Sequence, residues 1–196
     1  MVDTGNTTET IVEGHWAARN GLSQRLSRGI NAYEDDGRVN RGKLSIGPFR
    51  DLREVVEYFP PAKRGSEATT VEAAILSEAL MDRFVATFDY DRDAMWLQPL
   101  PHSAPRPFNR VGLEADKERD GSFLVWHVLA GSPAAAANIQ VGDHIVAIDA
   151  RPASQFSRSD FAALNAGPIG SHETYRVLTK SSAPRTVTVR LRELLS

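Results

Sequence analysis

Few residues in this 196-residue chain could carry catalytic chemistry. With no cysteine there is no thiolate nucleophile, no disulfide framework and no cysteine zinc site. The five histidines, His15, His102, His127, His144 and His172, are scattered, without a His-Glu-x-x-His run or a carboxylate at ligand spacing, so no metal site is expected. There is no Gly-x-Ser-x-Gly elbow, Ser-x-x-Lys pair or phosphate-binding glycine loop. What remains is Asp3-Thr4-Gly5, which sets a carboxylate, a hydroxyl and a turn-forming glycine side by side. A triplet is short enough to arise by chance, so its weight depends on the elements that would hold it.

Composition frames those elements. A 41% hydrophobic and 24% charged chain is ordinary for a globular protein, and no apolar run reaches the 18 or so residues that span a bilayer as a helix. Twelve basic residues face 16 acidic ones in 1–97, and ten face nine in 108–196, so neither half has the basic surplus that nucleic-acid binding uses. The amino terminus lacks the basic and apolar layout of a signal peptide, and the chain opens abruptly enough that a removed upstream segment is expected. Localisation is left open: bacterial, periplasmic or cytoplasmic. Pro99, Pro101, Pro105 and Pro107 fix φ and lack amide donors, which predicts an extended linker over 98–107 between one domain at 1–97 and another at 108–196.

In the second half, short β-like runs are expected at 111–115, 122–128, 144–149, 175–179 and 186–191, the last alternating Val187, Val189 and Leu191 with polar residues. Ser132-Pro133 followed by four alanines predicts a short helix, and Ser157 with Asp160 predicts a capping box opening a second helix that carries Phe161 and Leu164 on one face. This order describes a partly open β barrel with two short helices. The run Ala130-Gly131-Ser132-Pro133-Ala134-Ala135 followed by 139–149 (Ile-Gln-Val-Gly-Asp-His-Ile-Val-Ala-Ile-Asp) resembles the core signature of bacterial PDZ domains. The resemblance implies that a peptide carboxy terminus adds as a strand beside the second helix, its carboxylate held by backbone amides of an apolar-Gly-apolar loop. Val111-Gly112-Leu113 fits that loop, and Val111, Leu113, Phe161 and Leu164 would line the pocket for the last peptide side chain. The family's common form has glycine where Asn138 and Ala150 stand. Asparagine tolerates left-handed φ, whereas alanine does so less readily, so the turn at Ala150 is expected to be reshaped.

In the first half, Arg41 to Gly47 reads as a strand ending in a glycine turn. Ala74-Ile75-Leu76-Ser77 leads into Glu78 to Phe84, and Val85 to Tyr90 with Ala94 to Leu97 reads as a hairpin. Together with Asp3-Thr4-Gly5 this order resembles retropepsin-like aspartic proteases. The fold class expected is therefore mainly β: an incomplete retropepsin-like acid-protease lobe lacking its first strand, then a PDZ domain. The resemblance implies that Asp3 supplies one of two carboxylates sharing a proton, Thr4 braces paired loops across a two-fold axis, and Gly5 permits the turn. Only one such triplet occurs, so a second lobe is required, from a homodimer partner or from upstream sequence. Asn6 stands where alanine or serine is usual and Ser77 where glycine is, and a flap hairpin is expected within 29–37. No cofactor is implied. Two functions follow: an aspartic endopeptidase with a PDZ domain that binds peptide or protein carboxy termini, or a non-catalytic peptide-binding scaffold with a degenerate or truncated protease lobe.

Overall fold

The computed structural model describes residues 1–32, 36–65, 68–101, 103–179 and 183–195. Contacts group the chain into two compact units, the first extending through Arg106 and the second chiefly Pro107–Leu194. No helix among the described residues is long and apolar enough to cross a membrane.

The first unit is built on a four-stranded sheet in the order β2-β3-β1-β4, from β1 (Thr10–Val12), β2 (Arg38–Ile46), β3 (Phe49–Tyr58) and β4 (Ala74–Ile75). β2 and β3 form a long hairpin through Gly47, whose φ of 53° suits a tight turn. β1 lies parallel to β3, Thr10 opposite Val56, and antiparallel to β4. The second half of β3 thus has neighbours on both edges, and 54–58 are all buried, so both faces of the strand are covered there and the alternation is lost. Val12, Val56 and Tyr58 pack with Ala17 of α1 (Gly14–Arg19), and Leu22 and Leu26 flanking or within α2 (Ser23–Leu26) close over them. α3 (Glu78–Met81) buries Ala79, Leu80 and Met81. β5 (Phe84–Asp89) and β6 (Ala94–Pro99) form a separate hairpin. Gln98 and Pro99, assigned by composition to the linker, pair in β6 with Val85 and Phe84. The long hairpin of this unit is β2–β3; the flap expected within 29–37 falls partly on 33–35, outside the described residues, while Ile30 bridges Val39.

The second unit is one antiparallel sheet, β12-β11-β9-β8-β7, from β7 (Leu113–Lys117), β8 (Phe123–Val128), β9 (His144–Ile148), β11 (His172–Leu178) and β12 (Arg185–Arg190), with β10 (Arg151–Pro152) added to β9. Its core includes Phe123, Val125, Ile145, Ile148, Tyr175, Val177 and Val189. Ser132 caps α4 (Pro133–Ala136) through the Ala135 amide. Ser157 and Asp160 form the reciprocal capping box of α5 (Arg158–Asn165). Asp143, almost fully buried, accepts from the Gln140 amide, the Thr179 hydroxyl and the Arg185 guanidinium, so its charge is satisfied on each side. The turn after β9 puts Asp149 at φ 46° and Ala150 at φ 64°, so the left-handed turn is kept even without glycine.

Candidate functional site

Asp3 sits in a turn fastened at several points. Its amide donates to the Leu76 carbonyl at 3.0 Å, the Leu76 amide donates to the Met1 carbonyl at 3.0 Å, and Val2 bridges Leu76 in parallel. The Gly5 amide donates to Asp3 Oδ1 at 2.9 Å, and the Asn6 carbonyl accepts from the Glu78 amide at 2.9 Å. The Asp-Thr-Gly-Asn turn is therefore stitched both to the strand-like segment before α3 and to the first amide of that helix. Asn6, far from disrupting the turn, holds the next loop: its side chain donates to the Glu9 carbonyl and accepts from the amide and hydroxyl of Thr8. Ser77 is the N-cap of α3 yet makes no cap bond. Its buried hydroxyl instead meets Thr10 Oγ1 at 3.3 Å, linking β1 to the segment that carries Leu76. Asp3, Thr4 and Gly5 are all exposed, and among the described residues no second carboxylate bonds to Asp3.

Away from the turn, Glu54 of β3 is buried against Arg83 at 3.3 Å. Burial raises its carboxyl pKa, and the Val55 amide and Arg83 only partly offset that.

The second site is the loop 109–113 together with the outer edge of β7, which is the last strand of its sheet. Gly112 has φ 77°, and a Cβ there would lie 2.3 Å from Ser132 Cβ. Glycine is thus required twice over, by conformation and by the close approach of α4's cap. The loop is tied to the end of α5: the Arg110 amide donates to the Asn165 carbonyl, and its guanidinium to the Ala166 and Gly167 carbonyls at 3.0 and 2.6 Å. A cation on the last carbonyls of a helix is favourable in both hydrogen bonding and dipole sense. The far end of β7 is bracketed as well, since Lys117 Nζ donates to the Ala153 and Phe156 carbonyls at 2.6 and 2.8 Å and lies 4.4 Å above the Phe123 ring. Partial burial lowers the Lys117 pKa. The strand edge and the helix are therefore clamped beside each other at both ends.

Of the residues proposed to line a pocket, Val111, Leu113 and Phe161 belong to the closed core, with Phe161 stacked on Phe123 at 4.4 Å between centroids. Leu164 is half-buried and borders a different space, an open cavity of about 570 Å³ on the side of α5 that carries Ala163 and faces 149–156 and 167–173. Glu173 lines that cavity and is held by the Tyr175 hydroxyl, whose oxygen also lies 2.8 Å from Asn165 Oδ1. Burial raises the Glu173 pKa despite the Tyr175 bond, and burial together with the Glu173 charge holds Tyr175 well above the usual phenol range. Sequence reading missed Asn109. Its Oδ1 accepts from the Val111 and Gly112 amides at 3.0 and 2.8 Å, and its Nδ2 donates to the Leu113 carbonyl and to Glu114 Oε1 at 2.7 and 3.0 Å. The signal was an asparagine two residues before the apolar-Gly-apolar loop, a residue type that commonly bonds backbone two positions on.

A family profile for the PDZ domain matches residues 104–172, spanning β7 to the start of β11. The second unit contains a PDZ domain. No curated protein matches the chain. Among solved structures, the PDZ domain of a carboxy-terminal protease from Vibrio cholerae in complex with peptide is 24% identical, with 42% of this chain and 92% of that one covered and a TM-score of 0.37. A photosystem II D1 C-terminal processing protease is 20% identical over 45% of this chain and 24% of its own, TM-score 0.39. A serine endoprotease from Yersinia pestis is 17% identical over 79% and 51%, TM-score 0.41. None of these three is named as an aspartic protease.

Proposed function

We propose that the PDZ domain binds peptide or protein carboxy termini and that the first unit is one lobe of an aspartic endopeptidase to which it presents them. The observation that carries the peptide-binding part is the outer edge of β7, the terminal strand of its sheet, held by Arg110 on the carbonyls at the end of α5 and by Lys117 on the carbonyls before it. The protease part is supported by the fastening of the Asp3 turn through Leu76, Asn6 and Glu78, which is what an exposed carboxylate needs to be held at a fixed position. In this reading Asp3 and a second aspartate share one proton; the ionised member takes a proton from water while the other protonates the carbonyl oxygen. The second aspartate comes from another copy of the chain or from an upstream lobe.

The test is peptide cleavage by the full-length protein, wild type against Asp3→Asn, at several pH values. Cleavage fastest at acidic pH and lost in Asp3→Asn is expected, with Thr4→Ser retaining more activity because it keeps the bracing hydroxyl. A homodimeric enzyme would lose specific activity on dilution, whereas a bilobal one would not. Equal cleavage by wild type and Asp3→Asn would remove Asp3 from the mechanism. Absence of cleavage together with intact peptide binding would favour the scaffold reading, which the single Asp-Thr-Gly in the chain already supports.

A further inference from the structure

The loop that would receive a peptide carboxylate already holds an oxygen. Gly112 donates no free amide, because its N–H and that of Val111 both point at Asn109 Oδ1. The strand edge next to it is also taken. Backbone carbonyls alternate sides along a strand, and the Gly112 carbonyl accepts from the Leu129 amide at 2.9 Å on the β8 side. The Leu113 carbonyl therefore faces the outer edge, where Asn109 Nδ2 donates to it at 2.7 Å. One side-chain amide thus supplies an acceptor to two loop amides and a donor to the first outward carbonyl of β7. That is the same complement a peptide's terminal residue would bring, a carboxylate oxygen and an N–H. Asn109 is half-buried, so it can leave the site without opening the core.

Resting on the peptide-binding reading, we propose that Asn109 is a built-in surrogate for the ligand's last residue and that a peptide carboxylate enters by displacing it. Glu114 strengthens the effect. Its Oε1 holds the second Nδ2 hydrogen at 3.0 Å and places a negative charge beside the cradle, while Arg110, the nearest cation in sequence, is committed to the carbonyls after α5. The surrogate is neutral and keeps company with that charge; an incoming carboxylate is not and must approach it. Asn109 therefore sets how strongly a free carboxylate is preferred.

The experiment measures binding to the full 196-residue chain of a decapeptide pool randomised at its last three positions, once with free carboxylates and once with carboxamide ends. It compares wild type, Asn109→Ala and Asn109→Asp, with amide spectra confirming the fold. Freeing two hydrogen-bond donors and one acceptor should make Asn109→Ala bind the free-acid pool about tenfold tighter, at roughly a factor of ten per two net hydrogen bonds. The carboxamide pool should change less than about twofold, because only a carboxylate gains charge-assisted bonds to both amides. Asn109→Asp should bind the free acid no better than wild type, since its own carboxylate satisfies the same amides more strongly. If wild type binds and folded Asn109→Ala binds equally or more weakly, Asn109 is a structural brace and the inference fails while the peptide reading stands. A gain shared equally by both pools would also overturn it. If no folded variant binds either pool, the peptide-binding reading fails and this inference with it.

Discussion

Replacing Ala150 by glycine should stabilise the second unit. β9 and β10 are joined by Asp149 and Ala150 alone, and Arg151 pairs with Ile148, so this is a two-residue hairpin with φ of 46° and 64°. Such turns match the twist of the strands when both residues are left-handed, which is why the second position favours glycine. An alanine there carries roughly 1–2 kcal/mol of crowding between its Cβ and the backbone. Ala150 is exposed, so removing its methyl group forfeits no core packing. Against that gain stands the larger freedom of glycine in the unfolded chain, roughly 0.5–1 kcal/mol. The net expectation is about 0.5–1 kcal/mol, or a rise in Tm of about 3–6 °C for a unit of this size. Because the chain has two units, hydrogen exchange is a better assay than a single melt. The Asp149 amide, bonded to the Thr174 carbonyl at 2.8 Å, and the Thr174 amide, bonded to Asp149 Oδ1 at 2.9 Å, report on this turn directly. Their exchange should slow by about two- to fivefold where it follows unfolding of the unit. Asn138→Gly, at φ 60° in another exposed turn, serves as the control and should gain less, because asparagine already tolerates that region. No gain in Ala150→Gly, or a gain no larger than in Asn138→Gly, would refute the crowding argument.

Gly112→Ala should lower the stability of the PDZ domain by about 2–4 kcal/mol, combining left-handed strain with an approach of 2.3 Å to Ser132 Cβ; urea unfolding checks this, and a loss under about 1 kcal/mol would mean the loop moves freely. Larger residues at Gly112, such as valine, are therefore predicted to damage the fold as well as any binding. Glu173 has its carboxyl pKa raised in the folded state, so the folded form holds the proton more tightly than the unfolded one; its contribution is complete below the unfolded pKa and is lost as pH rises through the folded value. Glu173→Gln should remove that loss and flatten stability as pH rises above the ordinary carboxylate range, and an unchanged pH profile in the variant would exclude Glu173 as its source.

Much of the second unit was legible because its signals are local. Ser132-Pro133 and the Ser157–Asp160 pair set their helices by bonds that span three residues, and those bonds are present at the places the sequence implies. β10 and the 3₁₀ turn Ala153–Gln155 were not legible, since Arg151-Pro152 carries no alternation and pairs only because the Asp149-Ala150 turn folds it back. In the first unit, β3 was not read from the sequence, and which neighbours flank it does not follow from its residues either. The parallel pairing of β1 with β3 brings together residues 46 positions apart, and no short-range pattern encodes such a partner.

The candidate sites divide along the same line. Apolar residues on either side of Gly112 can serve the core or a pocket equally well by composition, and burial decides: Val111 and Leu113 are 0 and 1% exposed, so the peptide-binding role proposed for the loop rests on its backbone. Once the backbone is the binding element, what occupies its amides matters more than which side chains surround it, and that occupant is a polar residue outside the motif. At Asp3 the relation is reversed. The triplet was visible, but its rigidity is supplied by Leu76 and Glu78, more than 70 residues away, through main-chain bonds that any residue type could make. Ser77 shows why such positions mislead: as a departure from glycine it suggested a damaged catalytic loop, yet its hydroxyl gives up the helix cap to bond Thr10, adding a tie between the two segments that hold the turn. A substitution beside a site can therefore brace it as readily as spoil it, and activity of Ser77→Gly against wild type separates the two: a brace predicts lower turnover with the variant, whereas a spoiling residue predicts higher.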